Sequence, residues 1–153
     1  MPALNPSARL SLRMLGGFAL ERDALPCKLA YVKGQGLLAY LAVEPGRAHS
    51  REFLATMFWP NIPHKAALTN FRQVLHDLRQ LINTAGLVIS PLHVDREVVR
   101  LDPSSDLSID AAEFCVPAHA CPAMPCSAHC GPCLAKMETL AECYRGQFMA
   151  GFS

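Results

Sequence analysis

Between Lys65 and Ile82 the apolar residues Leu68, Phe71, Leu75, Leu78 and Ile82 recur at intervals of three, four, three and four. That spacing puts all five on one stripe of an α-helix. It leaves Thr69, Arg72, Gln73, His76, Arg79 and Gln80 together on the other side. A helix this long, greasy on one face and polar on the other, must lie on a core. The rest of the chain has to supply that core.

The flanking segments do so in alternating styles. Arg9–Leu15 alternates Leu10, Leu12 and Met14 with Arg9, Ser11 and Arg13, a half-buried strand. Gly16-Gly17 permits a turn, Phe18–Glu21 reads as a second strand, and Leu25–Leu29 as a third. A helix follows over about Lys33–Val43, weakened by Gly34 and Gly36 at roughly 1 kcal/mol each relative to Ala. Pro45-Gly46 ends it. Ser50 is placed to cap a second helix, with Glu52 in its first turn and Phe53, Leu54, Met57 and Phe58 as its apolar residues. Trp59 is expected in the core, and Pro60–Pro63 forms a loop. Beyond the long helix, Leu87–Ile89 and Val98–Leu101 read as a hairpin whose tip spans Ser90–Glu97. His64 and His93 are expected in loops.

The fold class that results is α+β, with an N-terminal antiparallel sheet, three helices and a C-terminal hairpin. This is the element order of a winged helix-turn-helix. Three parts are expected: residues 1–106 as the winged-helix domain, 107–133 as a Cys- and Pro-rich linker or metal knuckle, and 134–153 as the start of a helical domain, with a helix over Leu134–Tyr144.

Charge follows the same division. Residues 1–106 carry 12 Lys and Arg against 9 Asp and Glu, and residues 107–153 carry 2 against 4. The mildly positive front permits phosphate contact without demanding it. No apolar run is long enough for a membrane helix, and the N-terminus has no charged leader, so a cytoplasmic location is expected. No Gly-rich phosphate loop, nucleophile elbow or zincin helix is present, so no enzyme is expected.

Particular segments carry a resemblance. They are Leu15–Phe18, Leu37–Ala42, Ser50–Glu52, Phe58–Pro60, Asn70–Arg79, Val99–Pro103 and Tyr144–Phe152. In that order the chain resembles regulators of the Streptomyces antibiotic regulatory protein type. The resemblance implies a response-regulator-type winged helix joined to the opening of a bacterial transcriptional activator domain, hence a piece of a longer regulator. Double-stranded DNA is then the expected partner, with a homodimer forming on it. RNA polymerase would be approached by the loop after Trp59. Gly34, Gly36 and Phe71 depart from the pattern, where better helix formers and Leu are usual.

On this reading Arg72 and Arg79 flank the exposed face of the third helix and at least one of them contacts phosphate, while Thr69, Gln73 and His76 are best placed to face base edges. Arg96 at the wing reaches the adjacent minor groove or backbone, and Arg47 and Arg51 are further phosphate candidates.

Six of the seven cysteines fall between Cys115 and Cys143. Cys121, Cys126, Cys130 and Cys133 lie within thirteen positions, with His119 and His129 nearby, a set that suits tetrahedral Zn2+. Three readings stay open: a structural zinc knuckle, a redox or iron–sulfur sensor, and reduced thiols with no ligand. The functional alternative is accordingly a metal-dependent or redox-sensing module whose winged helix docks protein. Cys27 and Cys143 are expected to be buried structural thiols.

Overall fold

The structure, a computed structural model, describes residues 10–83, 90–102, 106–115 and 131–152. Its element order is β1 (Leu10–Arg13), β2 (Ala19–Arg22), β3 (Leu25–Cys27), α1 (Val32–Val43), β4 (His49–Ser50), α2 (Arg51–Phe58) and α3 (His64–Asn83). Then follow β5 (Leu92–Val94), β6 (Val98–Leu101), β7 (Leu107–Ile109), α4 (Asp110–Cys115) and α5 (Gly131–Cys143). Among the described residues two sheets form, in the orders β3-β2-β1-β7 and β4-β6-β5. One core lies between them: Leu10, Leu12 and Leu20 from the first sheet, Leu37, Leu38 and Leu41 from α1, Leu54 from α2, and Val99 and Leu101 from β6.

α3 seals this core. Phe71, Leu75, Leu78 and Ile82 are buried, together with Ala67 and Val74, while Leu68 is half-buried. α2 begins as its sequence requires, since the Phe53 amide donates to the Ser50 hydroxyl at 3.3 Å. α1 tolerates its glycines because they meet neighbours at close range. A Cβ on Gly34 would stand 3.1 Å from Leu29, and one on Gly36 would stand 2.9 Å from Phe152 and 3.1 Å from Phe58. Side-chain volume there would collide with the packing that the helix serves.

The wing differs from its sequence expectation. Its first strand is Leu92–Val94, paired antiparallel with β6 in the register Leu92↔Leu101, His93↔Arg100 and Val94↔Val99. The tip is a tight turn over Arg96-Glu97, closed by the Asp95 amide on the Val98 carbonyl at 2.9 Å. The β-branched run at Leu87–Ile89 lies outside the described residues. The strand proper is set by Leu92, which is buried against Leu101, with Pro91 sitting just ahead of it where no ladder hydrogen bond is lost. Both loop histidines are also in regular structure. His64 opens α3, and His93 on β5 pairs with Asp102 at 3.1 Å.

The composition of residues 107–133 reads as a linker, yet its first residues belong to the sheet. β7 pairs in parallel with β1, Leu10↔Leu107 to Leu12↔Ile109. Immediately after it Asp110, 2% exposed, accepts from the amides of Met14 at 2.9 and 3.0 Å, Leu15 at 3.0 Å and Ala111 at 2.6 Å. The segment after α5 returns to the same place: Gly16 donates to Gln147 O at 3.0 Å and Met149 to Met14 O at 2.7 Å. Gly16, at φ +88°, must be glycine, because a Cβ there would lie 2.8 Å from the Arg145 backbone. Residues 144–152 thus form a clasp over the β1–β2 turn.

Trp59 is half-buried at the edge of the core, with Lys33 Nζ 5.0 Å from its ring centre. Cys143 is buried as expected, and Cys27 only half-buried, since it ends an outer strand. No described helix is long and apolar enough to cross a membrane.

Candidate nucleic-acid interface

The amphipathic pattern of α3 decides which side chains reach solvent. Thr69, Arg72, Gln73, His76, Arg79 and Gln80 are all exposed, opposite the buried stripe. At 20 residues the helix is roughly 30 Å long. Several of these side chains are held by neighbours one turn away. Thr69 Oγ1 donates to Lys65 O at 3.0 Å, Gln73 Nε2 donates to Asp77 Oδ1 at 3.1 Å, and Gln80 Nε2 lies 3.3 Å from His76 Nε2. Exposed bonds of this kind contribute little net stability, so a duplex could exchange them for bonds to bases.

One side of the strip borders the wing. Ser50, Arg51, Glu52, Leu68, Arg72, Arg96 and Glu97 line a polar cleft of about 350 Å³ between the start of α2, α3 and the wing tip. Three arginines from three elements therefore line one cleft, with two glutamates among them. Geometry of this kind suits an anion held between Arg72 and Arg96, such as a phosphate backbone.

Arg51 and Arg47 do not behave alike. Arg51 Nη1 donates to the Asp95 carbonyl at 3.1 Å and approaches that of Arg96 at 3.5 Å. Arg47 lies at the base of the wing, where the Gly46 amide donates to Leu101 O at 2.7 Å. β6 runs from the tip at Val98 to Leu101, roughly 10 Å away. Arg47 is ion-paired to Glu44 at 2.6 Å and lines an apolar groove with Tyr40, Phe58 and Phe152. It is thus not brought together with the strip.

Sequence reasoning missed Asn70. It sits three residues before Gln73 and lines with it a groove that also includes Tyr31, Lys33 and Trp59. The signal was available in the helical spacing, since residues 70, 73 and 77 share an edge. Glu52 and Glu97 were also missed as members of the cleft, because their approach depends on how the wing folds back on α2.

Of the cysteine set, Cys121, Cys126 and Cys130 lie outside the described residues, and Cys133 is placed only as part of the α5 backbone. Among the described residues no group of three or more His, Cys, Asp or Glu could hold a metal ion. The Cys143 thiol is pushed up by burial, then by Glu113 and Asp110, with Arg145 acting the other way.

No protein-family model matches the sequence, and no curated protein does. Among solved structures the chain is similar to EmbR of Mycobacterium tuberculosis, in complex with a low-affinity phosphopeptide. The TM-score is 0.73 and the identity 22%, over 92% of this chain and 37% of that one. The chain thus spans little more than a third of that protein. At this identity the likeness speaks for the fold: α+β, a winged helix-turn-helix with an N-terminal sheet and a C-terminal wing.

Proposed function

We propose that this chain is the sequence-specific DNA-binding part of a transcription regulator of the activating kind. The observation that carries the reading is the exposed strip of α3, polar along its whole length and flanked by the arginine cleft at the wing. α3 enters the major groove. Thr69, Gln73 and His76 meet base edges, and Arg72 and Arg79 hold phosphates on either side. Arg96 reaches the adjacent minor groove or backbone. The regulator works in the cytoplasm, pairs with a second copy on tandem or inverted sites, and presents the loop after Trp59 to RNA polymerase.

The test selects a duplex from random-sequence DNA with the full chain and follows binding by fluorescence anisotropy. Binding should be saturable, and affinity should fall steeply with salt. Arg72→Ala should weaken binding about tenfold on every sequence, whereas Gln73→Ala should change which bases are preferred. Binding to the selected duplex no tighter than to an unrelated one ends the proposal.

Zinc at Cys121, Cys126, Cys130 and Cys133 is proposed on spacing alone. Metal analysis of the purified full chain decides it. The expected result is one Zn2+ per chain, lost in Cys130→Ser; no metal in the wild type removes the site.

A further inference from the structure

We propose that Arg51 is a positioning residue that brackets the wing tip onto α2 and α3, and that it does not itself touch DNA. What this says about binding rests on the DNA reading above; the bracket does not.

The wing tip has no apolar anchor. Asp95, Arg96 and Glu97 are all exposed, and the turn is closed on itself only by the Asp95 amide on Val98 O and the Arg96 amide on the Asp95 carboxylate at 2.7 Å. The three consecutive tip carbonyls nevertheless point to one residue. The Arg51 amide donates to Glu97 O at 2.9 Å, and its guanidinium lies 3.1 Å from Asp95 O and 3.5 Å from Arg96 O. The same guanidinium lies 6.0 Å from the ring centre of Phe71, which is fully buried in α3. One side chain therefore spans the first residue of α2, the wing tip and the α3 core stripe. A planar guanidinium can do this, because its carbon lies over the ring while one nitrogen, Nη1, reaches the carbonyls. A group whose Nη1 is taken up by the wing carbonyls in this way is badly placed to take a phosphate as well. What it fixes is the position of Arg96 relative to Arg72, across the cleft that all three arginines line.

The experiment compares the full chain with Arg51→Ala, Arg51→Lys, Arg96→Ala, Arg51→Ala/Arg96→Ala and, as a control, Arg72→Ala. Two measurements are made: anisotropy on the selected duplex at several salt concentrations, and hydrogen exchange of the Asp95 and Arg51 amides. A bracket predicts that Arg51→Ala and Arg51→Lys each lose about tenfold in affinity, as Arg96→Ala does, because lysine keeps the charge but not the planar face that lies over Phe71 while Nη1 reaches the tip carbonyls. The double variant should be no weaker than Arg96→Ala, and all should lose the same single contact from the salt slope. Exchange at the tip should rise about tenfold in both Arg51 variants and stay unchanged in Arg72→Ala. A direct phosphate contact predicts the reverse. Arg51→Lys would bind nearly as the wild type does, and the double variant would lose the product of the two single losses. Either result overturns the bracket. If Arg51→Ala does not fold, Arg51→Lys alone and combined with Arg96→Ala carry the same comparison. If the wild type binds no duplex, the DNA reading falls, and tip exchange in Arg51→Lys decides the bracket alone: faster exchange supports it, unchanged exchange overturns it.

Discussion

Around Asp110 charge is turned inward, and around Arg72 it is turned outward. The Asp110 carboxylate is shut in by β1, β7 and α4 and accepts from three backbone amides. The Arg72 guanidinium stands in solvent on a helix whose other face is core. A buried charge of the first kind is retained for what it holds together, here the end of β1 and, through Met14, the clasp. An exposed row of the second kind adds almost nothing to stability and leaves its side chains open to a partner. The two regions differ in what they contribute: one fixes the fold, and the other carries the proposed binding strip.

The strongest way to break that division is Asp110→Ala. It leaves the Met14, Leu15 and Ala111 amides without their acceptor in a buried place. The expected loss is about 3 kcal/mol, at 1–3 kcal/mol for each buried group left unpaired and with partial rehydration. Urea unfolding should show a lower midpoint, and Asp110→Asn, which keeps one carbonyl oxygen, should lose less. DNA affinity per folded molecule should not change. The converse variant is Arg72→Ala. Its tenfold loss of affinity corresponds to about 1.4 kcal/mol in binding, with the unfolding midpoint moved by no more than an exposed surface change allows, roughly 0.5 kcal/mol. A stability loss at Arg72 as large as that at Asp110 would erase the distinction.

The same contrast explains what could be read from sequence. α3 was legible because a single period of 3.6 fixes both its buried stripe and its exposed strip, and local spacing holds that information. The Ser50 cap was legible for the same reason. β7 and Asp110 were not. Their meaning comes from pairing with β1, about a hundred residues earlier, and no local pattern announces a parallel partner that distant. The cleft lies between these cases. Arg51, Arg72 and Arg96 could each be named from sequence, but which of them faces a phosphate and which holds the wing depends on the hairpin register. That register pairs Leu92 with Leu101, a match that the sequence did not single out. Gly36, which reads as a weakness in α1, is the space that Phe58 and Phe152 fill.

The smallest expected effect belongs to Glu113, which tests how far the inward-facing region tolerates charge. Burial raises its carboxyl above the ordinary 4.5; the hydrogen bond from Ser108 at 3.2 Å works against this, and Asp110 adds to it. A carboxyl with a raised folded-state pKa is better accommodated protonated. Its favourable contribution is therefore complete below pH 4.5 and is lost as the pH rises through the folded value. Glu113→Gln stays neutral and can still accept from Ser108. The variant should match the wild type in acid and become slightly the more stable of the two above pH 4.5, a small gain because the group is partly exposed. Urea midpoints measured from pH 4 to pH 7 would show two curves separating as pH rises. Parallel curves would mean that the carboxylate is as well solvated in the fold as in the open chain. The contrast between the two regions would then rest on Asp110 alone. Separating curves would extend the inward-facing region to Cys143, whose thiol is pushed up by burial first and by Glu113 next.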